Sequence, residues 1–488
     1  MKKFIAFLSK DSVLPLLAGL ASGLYPWAFY YSNNFKFVNS LEHIYFFLIF
    51  FIVLPIISYY LIYFLMRRNS LLLFKRVVLP FVSSFVFFYL SMIALYAQVG
   101  YKKIALALFL AVVVAGVCAY VMNLYAKILV VQFLLVLTTF FTLYYHIKPY
   151  IFSSDQWLNQ PEVIQNVAFK KKPNIYVIQP DGYVNFSELN KGHYNFDNSH
   201  FEQWLYDQDF VLYENFRSNY FSTLTSNSSM FAMKHHYLDL RDERKVIMDV
   251  NPVVKILNAN GYKTHFFAEK PYLIVNRPNI SFDYMNFDIE DIPYLSKGLK
   301  SNRDILEDLP LALEQEEEAN FYFFEKILPG HITTFKDLAK PKEIEREEYL
   351  DNLRKANEWL KEIITKISTH DPEAMIVIVA DHGGYVGLEY TRQSHIKSQD
   401  RDLIYSGFSS ALAIKWPGND IPDERLQFKS SVNLFINLFA HLSEDYTLIE
   451  ETQDDASYIE IKEGAPTGTY KVIDGEGNIV FEKYEPQK

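Results

Sequence analysis

Up to residue 150 the chain contains five stretches with no Asp, Glu, Lys or Arg, at 13–31, 43–66, 77–98, 104–122 and 128–145. About 20 apolar residues cross the hydrocarbon core of a bilayer, so each stretch is long enough, or nearly so, to span it. A buried helix of a soluble domain is rarely this long and this free of charge, and five in succession exclude a soluble reading of this part. The first stretch holds Pro15, Gly19, Gly23 and Pro26 and is expected to be kinked. No polar, small-residue cleavage site follows it at short distance, which argues against a removed signal peptide.

Lysine and arginine set the expected orientation. Lys2, Lys3 and Lys10 precede the first stretch, and Arg67, Arg68, Lys75 and Arg76 separate the second from the third. The next loop on that side has Lys127, and the opposite side has Lys36, Lys102 and Lys103. The balance predicts an N-terminus inside the cytoplasm and, after five spans, everything beyond about residue 148 outside it. Charge divides at the same place. Through residue 150 there are 12 Lys and Arg against 2 Asp and Glu, and beyond it 35 against 55. An outer part with a net charge of −20 repels phosphate backbones, so a nucleic-acid partner is excluded. An acidic domain that handles an anionic substrate needs a metal to do so. The single cysteine, Cys118, lies in the fourth stretch, so no disulfide forms within the chain. The outer part is large enough to fold on its own core.

Residues 149–172 read as a connector, with Trp157 placed to sit at a membrane surface. Beyond it, apolar runs suited to strands (174–180, 209–214, 263–267, 320–327, 375–380, 410–415) alternate with helical segments (198–206, 227–238, 251–259, 301–316, 342–369, 430–443). That alternation predicts a mostly parallel sheet covered by helices. The segment 342–370 carries charge throughout and reads as a long exposed helix, and the acidic runs 314–318 and 343–348 as solvated helix faces. The tail differs. Runs 458–462, 469–472 and 478–483, separated by Gly, Pro and Asp turns, predict a small antiparallel meander.

Two of the apolar runs end alike. Asn174-Ile175-Tyr176-Val177-Ile178-Gln179-Pro180 leads into Asp181-Gly182, and Met375-Ile376-Val377-Ile378-Val379-Ala380 leads into Asp381-His382-Gly383-Gly384. Ligands of open α/β sheets bind at the carboxyl ends of strands. Two aspartates and a histidine delivered there make an oxygen-rich site with one imidazole, which suits Zn²⁺ or Mn²⁺. Between them lies Ser222-Thr223-Leu224-Thr225-Ser226-Asn227-Ser228-Ser229-Met230-Phe231, dense in hydroxyls before a helix. Such hydroxyls either cap the helix or face its unpaired N–H groups, where an alkoxide and a phosphate are favoured. His235 and His236 follow on the same segment and, being adjacent, read as structural. Arg217 precedes it and suits either an anionic head group or solvent.

The order of these segments resembles the alkaline phosphatase/sulfatase superfamily, over residues 1 to about 445. The membrane-anchored branch is the most similar in architecture: lipoteichoic acid synthases and the phosphoethanolamine and phosphoglycerol transferases, which also carry five spans and an outer catalytic domain. The hydroxyl-rich segment is similar to the transferase pattern S-T-x-x-S-x-P-C-M-F, and that match places the nucleophile on Thr223. The resemblance implies a transmembrane domain at 1–148, a connector at 149–172, an α/β sulfatase-like catalytic domain at 173–445 with a mostly parallel central sheet, and a β meander at 446–488. It implies metal ligation by Asp181, Thr223, Asp381 and His382. His331, after the run 320–327, is the histidine that in this family binds the transferred phosphoryl group or a second metal. His395 lies 13 residues after His382, where the family often has a histidine, and is expected to bind substrate.

The chain departs from the family in instructive ways. Sulfatases use C-x-P-S-R, whose first residue becomes formylglycine. Thr223-Leu224-Thr225-Ser226-Asn227 offers neither that precursor nor the arginine, so sulfate-ester hydrolysis is disfavoured. The cysteines of the phosphoethanolamine transferases are absent, and D-H-G-E-x-x-G-E is reduced to Asp381-His382-Gly383-Gly384-Tyr385-Val386-Gly387-Leu388, which leaves the head group open. The implied activity is transfer of a phosphoglycerol or phosphoethanolamine head group from a phospholipid donor, through a phospho-threonine, to a cell-envelope glycan or glycolipid at a bacterial cytoplasmic membrane. A membrane-anchored hydrolase of the same superfamily is the alternative. A non-enzymatic descendant of the fold is a third reading, against which the retention of Thr223, Asp381 and His382 argues.

Overall fold

The computed structural model describes residues 11–96, 99–121, 123–152, 154–240, 242–295, 301–313, 319–418, 420 and 422–485. Lys2, Lys3 and Lys10, the ends of the third and fourth uncharged stretches at Gln98 and Met122, and the acidic run 314–318 lie outside them. The chain divides into two compact units. The first is Met1–Ser153 with the short returning segments Val275–Arg277 and Ile292–Lys297, and the second is the remainder.

The first unit is helical: α1 (Leu14–Asn34), α2 (Leu41–Met66), α3 (Leu71–Tyr96), α4 (Tyr101–Tyr120) and α5 (Leu124–Phe152). Four of these, α2 to α5, are long and apolar enough to cross a membrane. The 21-residue α1 is not among them; it carries Ser22, Tyr30, Tyr31, Ser32, Asn33 and Asn34 along its length. It packs against α2, α3 and α5. Gly19 and Gly23 make that approach feasible: a Cβ on either would collide with α2, on Ile56 and on the Phe51 carbonyl respectively. Small residues four apart let helix backbones meet closely. Cys118 is buried and free within α4.

The second unit is built on a seven-stranded sheet of β1 (Ile175–Pro180), β2 (Phe210–Leu212), β3 (Lys263–Ala268), β4 (Tyr284–Met285), β5 (Asn320–Lys326), β6 (Met375–Val379) and β7 (Leu412–Lys415), in the order β2-β7-β6-β1-β5-β3-β4. Strands β6, β1, β5, β3 and β4 run parallel, and β7 is antiparallel to both its neighbours. β1 and β6 are buried at every residue, as a sheet covered on both faces requires. The expected strands are found to within a residue or two, and β4, only two residues long, is additional.

Helices α6 (Ser199–Asp207), α7 (Thr223–Ala232), α8 (Glu243–Met248), α9 (Pro252–Ala259), α10 (Ile305–Leu313), α11 (Lys342–His370), α12 (Arg401–Phe408) and α13 (Leu434–Ser443) connect the strands. Two expectations change. The helix expected over 227–238 runs instead over α7, four residues earlier, and stops where Met233 takes a left-handed conformation at φ 53°. The long segment expected to be exposed is helical but half-buried: Tyr349, Leu353, Leu360, Ile364 and Ile367 fall on one face at helical spacing and pack into the core. Most of its charges occupy the other face, but Glu345, within the acidic run 343–348 expected to be solvated, is buried because its carboxylate accepts from Thr333 N–H and Lys340 N–H. The tail folds as expected into an antiparallel meander of β8 (Ser457–Ile461), β9 (Gly468–Ile473) and β10 (Ile479–Lys483). Trp157 packs edge-on against His236 within this unit, 6.4 Å between rings.

Candidate active site

Three adjacent parallel strands, β6, β1 and β5, end on the same side of the sheet, and their following loops are tied together. Asp181 follows β1. Its carbonyl accepts from Gly330 N–H at 2.8 Å, next to His331 in the loop after β5. Gly182 is left-handed at φ 70°, and a Cβ there would strike the Gly330 carbonyl, so only glycine allows the two loops to meet. Asp381, past β6, accepts from Gly182 N–H and His382 N–H through Oδ1, both at 3.0 Å. These bonds leave Oδ2 of Asp381 free, and neither it nor the buried Oδ1 of Asp181 has a hydrogen-bond partner.

His382 completes the group. Its Nδ1 donates to the Gly383 carbonyl at 2.8 Å, which leaves Nε2 facing Oδ2 of Asp381 at 3.3 Å and Oδ1 of Asp181 at 3.6 Å. A lone pair directed at two carboxylate oxygens is tolerable only with a cation among them, a proton or a metal ion. The ligand atoms of Asp181, Asp381 and His382 lie within 4.8 Å of one another, and all three residues are buried. Two orphaned carboxylate oxygens and one imidazole nitrogen fit a borderline divalent ion such as Zn²⁺ or Mn²⁺. With protons alone the group is strained electrostatically. Burial and the neighbouring Asp381 carboxylate push the Asp181 carboxyl up to about 7, with His382 opposing. Burial alone would lower the His382 imidazole, but the two carboxylates outweigh it and raise it.

Thr223 is the first residue of α7. Its Oγ1 lies 3.4 Å from His382 Nε2. The other hydroxyls of the segment are engaged with one another or with the backbone, although Ser222 also lines the cleft onto which the site opens. Ser222 and Thr225 bond each other at 2.8 Å, Ser226 donates to the Tyr220 carbonyl at 2.7 Å, and Ser228 and Ser229 donate to backbone carbonyls. Of the two readings of this hydroxyl cluster, most members take the structural one and Thr223 faces the carboxylates. Its position is fixed from below. Gln179 on β1 and Asn227 on α7 form a reciprocal amide pair, 2.8 Å in each direction, buried to 1% and 0% exposure. That pair joins the strand that delivers Asp181 to the helix that delivers Thr223. Glu325, cross-strand from Gln179, is equally buried, and burial with the Asp181 and Asp381 charges drives its carboxyl well upward.

Asp181, Thr223 and His382 open onto a cleft of about 910 Å³ that His331 and His395 also line, with Asp381 buried behind them. The His331 and His382 ring centres are 5.8 Å apart. His331 Nδ1 donates to the Ile332 carbonyl at 2.6 Å and His395 Nδ1 to the Glu460 carbonyl at 2.7 Å, so each keeps an Nε2 lone pair when neutral. Both imidazoles are held below their ordinary value by enclosure in the cleft walls, His331 also by neighbouring His382. His395 sits against the meander, its ring edge-on to Phe221 at 4.6 Å. Arg217 meets neither expectation. It is 3% exposed and donates to the Asp474 and Gly475 carbonyls of the meander, so it is neither solvated nor on the cleft. His235 and His236 are structural: both are buried, bonded to the Asp454 and Thr225 carbonyls. The sequence reading missed Lys270, Tyr272, Arg392, Lys462 and Glu463, which also line the cleft. A charged residue in a loop carries no signal of its own, although Lys270 does follow a strand end.

No family model matches the chain, and no curated protein matches it. Solved structures similar to it include the C-terminal periplasmic domain of EcEptC from Escherichia coli in complex with Zn, at 11% identity over 64% of this chain and 96% of that one, TM-score 0.43. The lipoteichoic acid synthase LtaP from Listeria monocytogenes is similar at 15% identity over 65% and 90%, TM-score 0.43. The integral membrane lipooligosaccharide phosphoethanolamine transferase A from Neisseria meningitidis is similar at 14% identity over 88% and 95%, TM-score 0.40.

Proposed function

We propose that the chain is a membrane-anchored, metal-dependent transferase that moves a phosphoglycerol or phosphoethanolamine head group from a phospholipid onto a cell-envelope glycan or glycolipid. One observation carries this reading: a hydroxyl at the first position of a helix, Thr223, directed at a buried group of two carboxylates and an imidazole whose atoms fit a divalent ion. When bound by Asp181, Asp381, His382 and Thr223, Zn²⁺ or Mn²⁺ lowers the pKa of the hydroxyl and polarises the phosphoryl oxygens. The N–H groups at the start of α7 face the same phosphoryl group.

Thr223 Oγ attacks the phosphorus of the donor diester. A P–O bond to Thr223 forms, the P–O bond to diacylglycerol breaks, and diacylglycerol leaves with a proton. The head group stays on Thr223 as a phosphodiester. An acceptor hydroxyl then attacks the same phosphorus, gives up its proton, and restores Thr223. His331 and His395, each with an Nε2 lone pair, suit the binding and proton exchange that these steps need. Discharge by water instead of an acceptor is the hydrolase alternative, for which the same site serves. Sulfate-ester hydrolysis is disfavoured, because Thr223 cannot become formylglycine.

The setting proposed is a bacterial cytoplasmic membrane, with α1 as a fifth span and the second unit outside the cytoplasm. Anchoring holds the cleft near donor head groups and raises their effective concentration. The test uses the full chain in lipid nanodiscs with labelled phosphatidylethanolamine or phosphatidylglycerol. The expected result is diacylglycerol release that a chelator abolishes and Zn²⁺ or Mn²⁺ restores, with label passing to an added glycan. Label released only to water identifies the hydrolase. No metal-dependent diacylglycerol release from either lipid overturns the reading.

A further inference from the structure

The loops that carry Asp181, Asp381 and His382 rest on two buried tyrosines that the proposed chemistry does not use. Tyr349 lies on α11 and Tyr194 in the loop before α6, and each is 2% exposed. Their rings pack against each other with centres 5.4 Å apart. Tyr349 Oη donates to the Gly182 carbonyl at 2.9 Å and accepts from Val184 N–H at 3.3 Å. Tyr194 Oη accepts from Gly384 N–H at 2.9 Å and donates to the Ser406 carbonyl at 2.9 Å. Gly182 directly follows Asp181, and Gly384 is two residues past His382. Each hydroxyl therefore holds the backbone next to a candidate ligand.

Gly182 is where this support reaches the ligands. Its N–H donates to Asp381 Oδ1, the bond that leaves Oδ2 of Asp381 for an ion. Glycine has the widest choice of backbone conformations, so its neighbours must choose for it. Tyr349 bonds the carbonyl of this same glycine. The peptide groups on both sides of Gly182 are thus fixed, one by Asp381 and the other by Tyr349. Tyr194 fixes the chain leaving His382 in the same manner, through Gly384 N–H. The ring of Tyr349 also explains a departure in the sequence. A Cβ on Gly384 would fall 2.1 Å from that ring, so the room that a glutamate would need in D-H-G-E is filled here by a tyrosine from α11.

We infer that Tyr349 and Tyr194 are positioning residues for the metal, whose hydroxyls hold Asp381 and His382 in ligating geometry without touching ion or substrate. The inference rests on the metal-dependent reading of the site. A group that orders a ligand's own hydrogen-bond donor sets ligand geometry at one remove, and loss of such an outer partner weakens metal binding about 10- to 100-fold. Tyr183 supplies the contrast. It is fully buried and follows Gly182 directly, but its Oη donates to Asn357 Oδ1 at 2.7 Å and accepts from Asn198 Nδ2 at 3.1 Å. It makes as many bonds as Tyr349, to side chains and not to the backbone of the ligand loops.

The test reads metal binding and not turnover. The full chain in detergent is stripped of divalent metal with a chelator and titrated with Co²⁺, a stand-in for Zn²⁺ whose visible absorption reports the bound ion. Asp381→Asn identifies the part of the titration that belongs to the buried group. Tyr349→Phe and Tyr194→Phe should each weaken that part about tenfold or more. Tyr183→Phe should lower the thermal midpoint of the stripped chain and leave the affinity unchanged. Unchanged affinity in Tyr349→Phe or Tyr194→Phe, or an equal loss in Tyr183→Phe, would overturn the assignment. So would a Tyr349→Phe chain that has lost its near-ultraviolet circular dichroism before any metal is added, because the hydroxyl would then serve the core as a whole and not the ligands. A parent chain that binds no Co²⁺ would overturn this assignment and the metal-dependent reading together. Metal binding without diacylglycerol release sinks the transferase reading and leaves this result standing.

Discussion

At the scale of single residues, the candidate site depends on a few side chains that have no freedom to point elsewhere. Asp381 spends one oxygen on two backbone N–H groups and so presents the other. His382 spends Nδ1 on a carbonyl and so presents Nε2. The Gln179–Asn227 pair sets the distance between the strand and helix that carry Asp181 and Thr223. Gln179→Leu leaves the Asn227 amide buried without a partner, and such a group costs about 1–3 kcal/mol. Its thermal midpoint should fall measurably, and Gln179→Leu/Asn227→Leu should recover part of the loss because both polar groups are gone. A double variant less stable than either single one would show that the pair does not act as a unit. The aspartates and His382 were legible in the sequence because each follows a short apolar run and precedes glycine. Arg217 was not, because what buries it is the meander, 257 residues further along the chain. Lys462 was not, because only the folded tail brings it beside His395.

At the scale of elements, sequence pattern located strands better than it located helix ends. β6 is an unbroken apolar run, and β1 and β5 are apolar over most of their length, a pattern with few alternatives to a buried strand. α11 was recognised as a helix, but its many charges hid the apolar stripe through Tyr349, Leu353, Leu360 and Ile364. α7 starts earlier than expected because the hydroxyls that read as a loop are helical and tied back to the backbone. The meander docks partly through His235. Tyr220 Oη accepts from the N–H groups of His236 and Tyr237, so its own proton goes to His235 Nδ1 at 3.1 Å, and His235 Nε2–H donates to the Asp454 carbonyl at 2.6 Å. This arrangement requires a neutral imidazole, and burial lowers its pKa from the ordinary 6.5. The unfolded chain then binds the proton that the folded chain refuses. His235 contributes stability that is present above pH 6.5 and lost as pH falls through the depressed folded value. The drop in thermal midpoint between pH 7.5 and 5.5 should be smaller in His235→Gln than in the parent. An unchanged drop would mean that His235 is already exposed to protons in the folded state.

At the scale of the whole molecule, an apolar, basic N-terminal part is joined to an acidic α/β unit with a metal-fitting group at the carboxyl ends of its central strands. Among the described residues four helices meet the length and apolarity needed to cross a bilayer, and the position of α1 decides the topology. If α1 is a fifth span, an alkaline phosphatase fused after Lys148 should be active and a cytoplasmic reporter at the same point silent. The reverse pattern would put the cleft on the cytoplasmic side, away from the proposed acceptors. The central claim, however, concerns one oxygen atom. Metal-loaded full chain is incubated with phosphatidylethanolamine or phosphatidylglycerol without acceptor, quenched in acid, digested and mapped by mass spectrometry. The account predicts a head-group phosphodiester on Thr223, absent from Thr223→Ala with a fall in turnover on the order of 10³-fold or more, and retained in Thr225→Ala. An adduct mapped to Ser222 or Thr225, or one that survives Thr223→Ala, would contradict it.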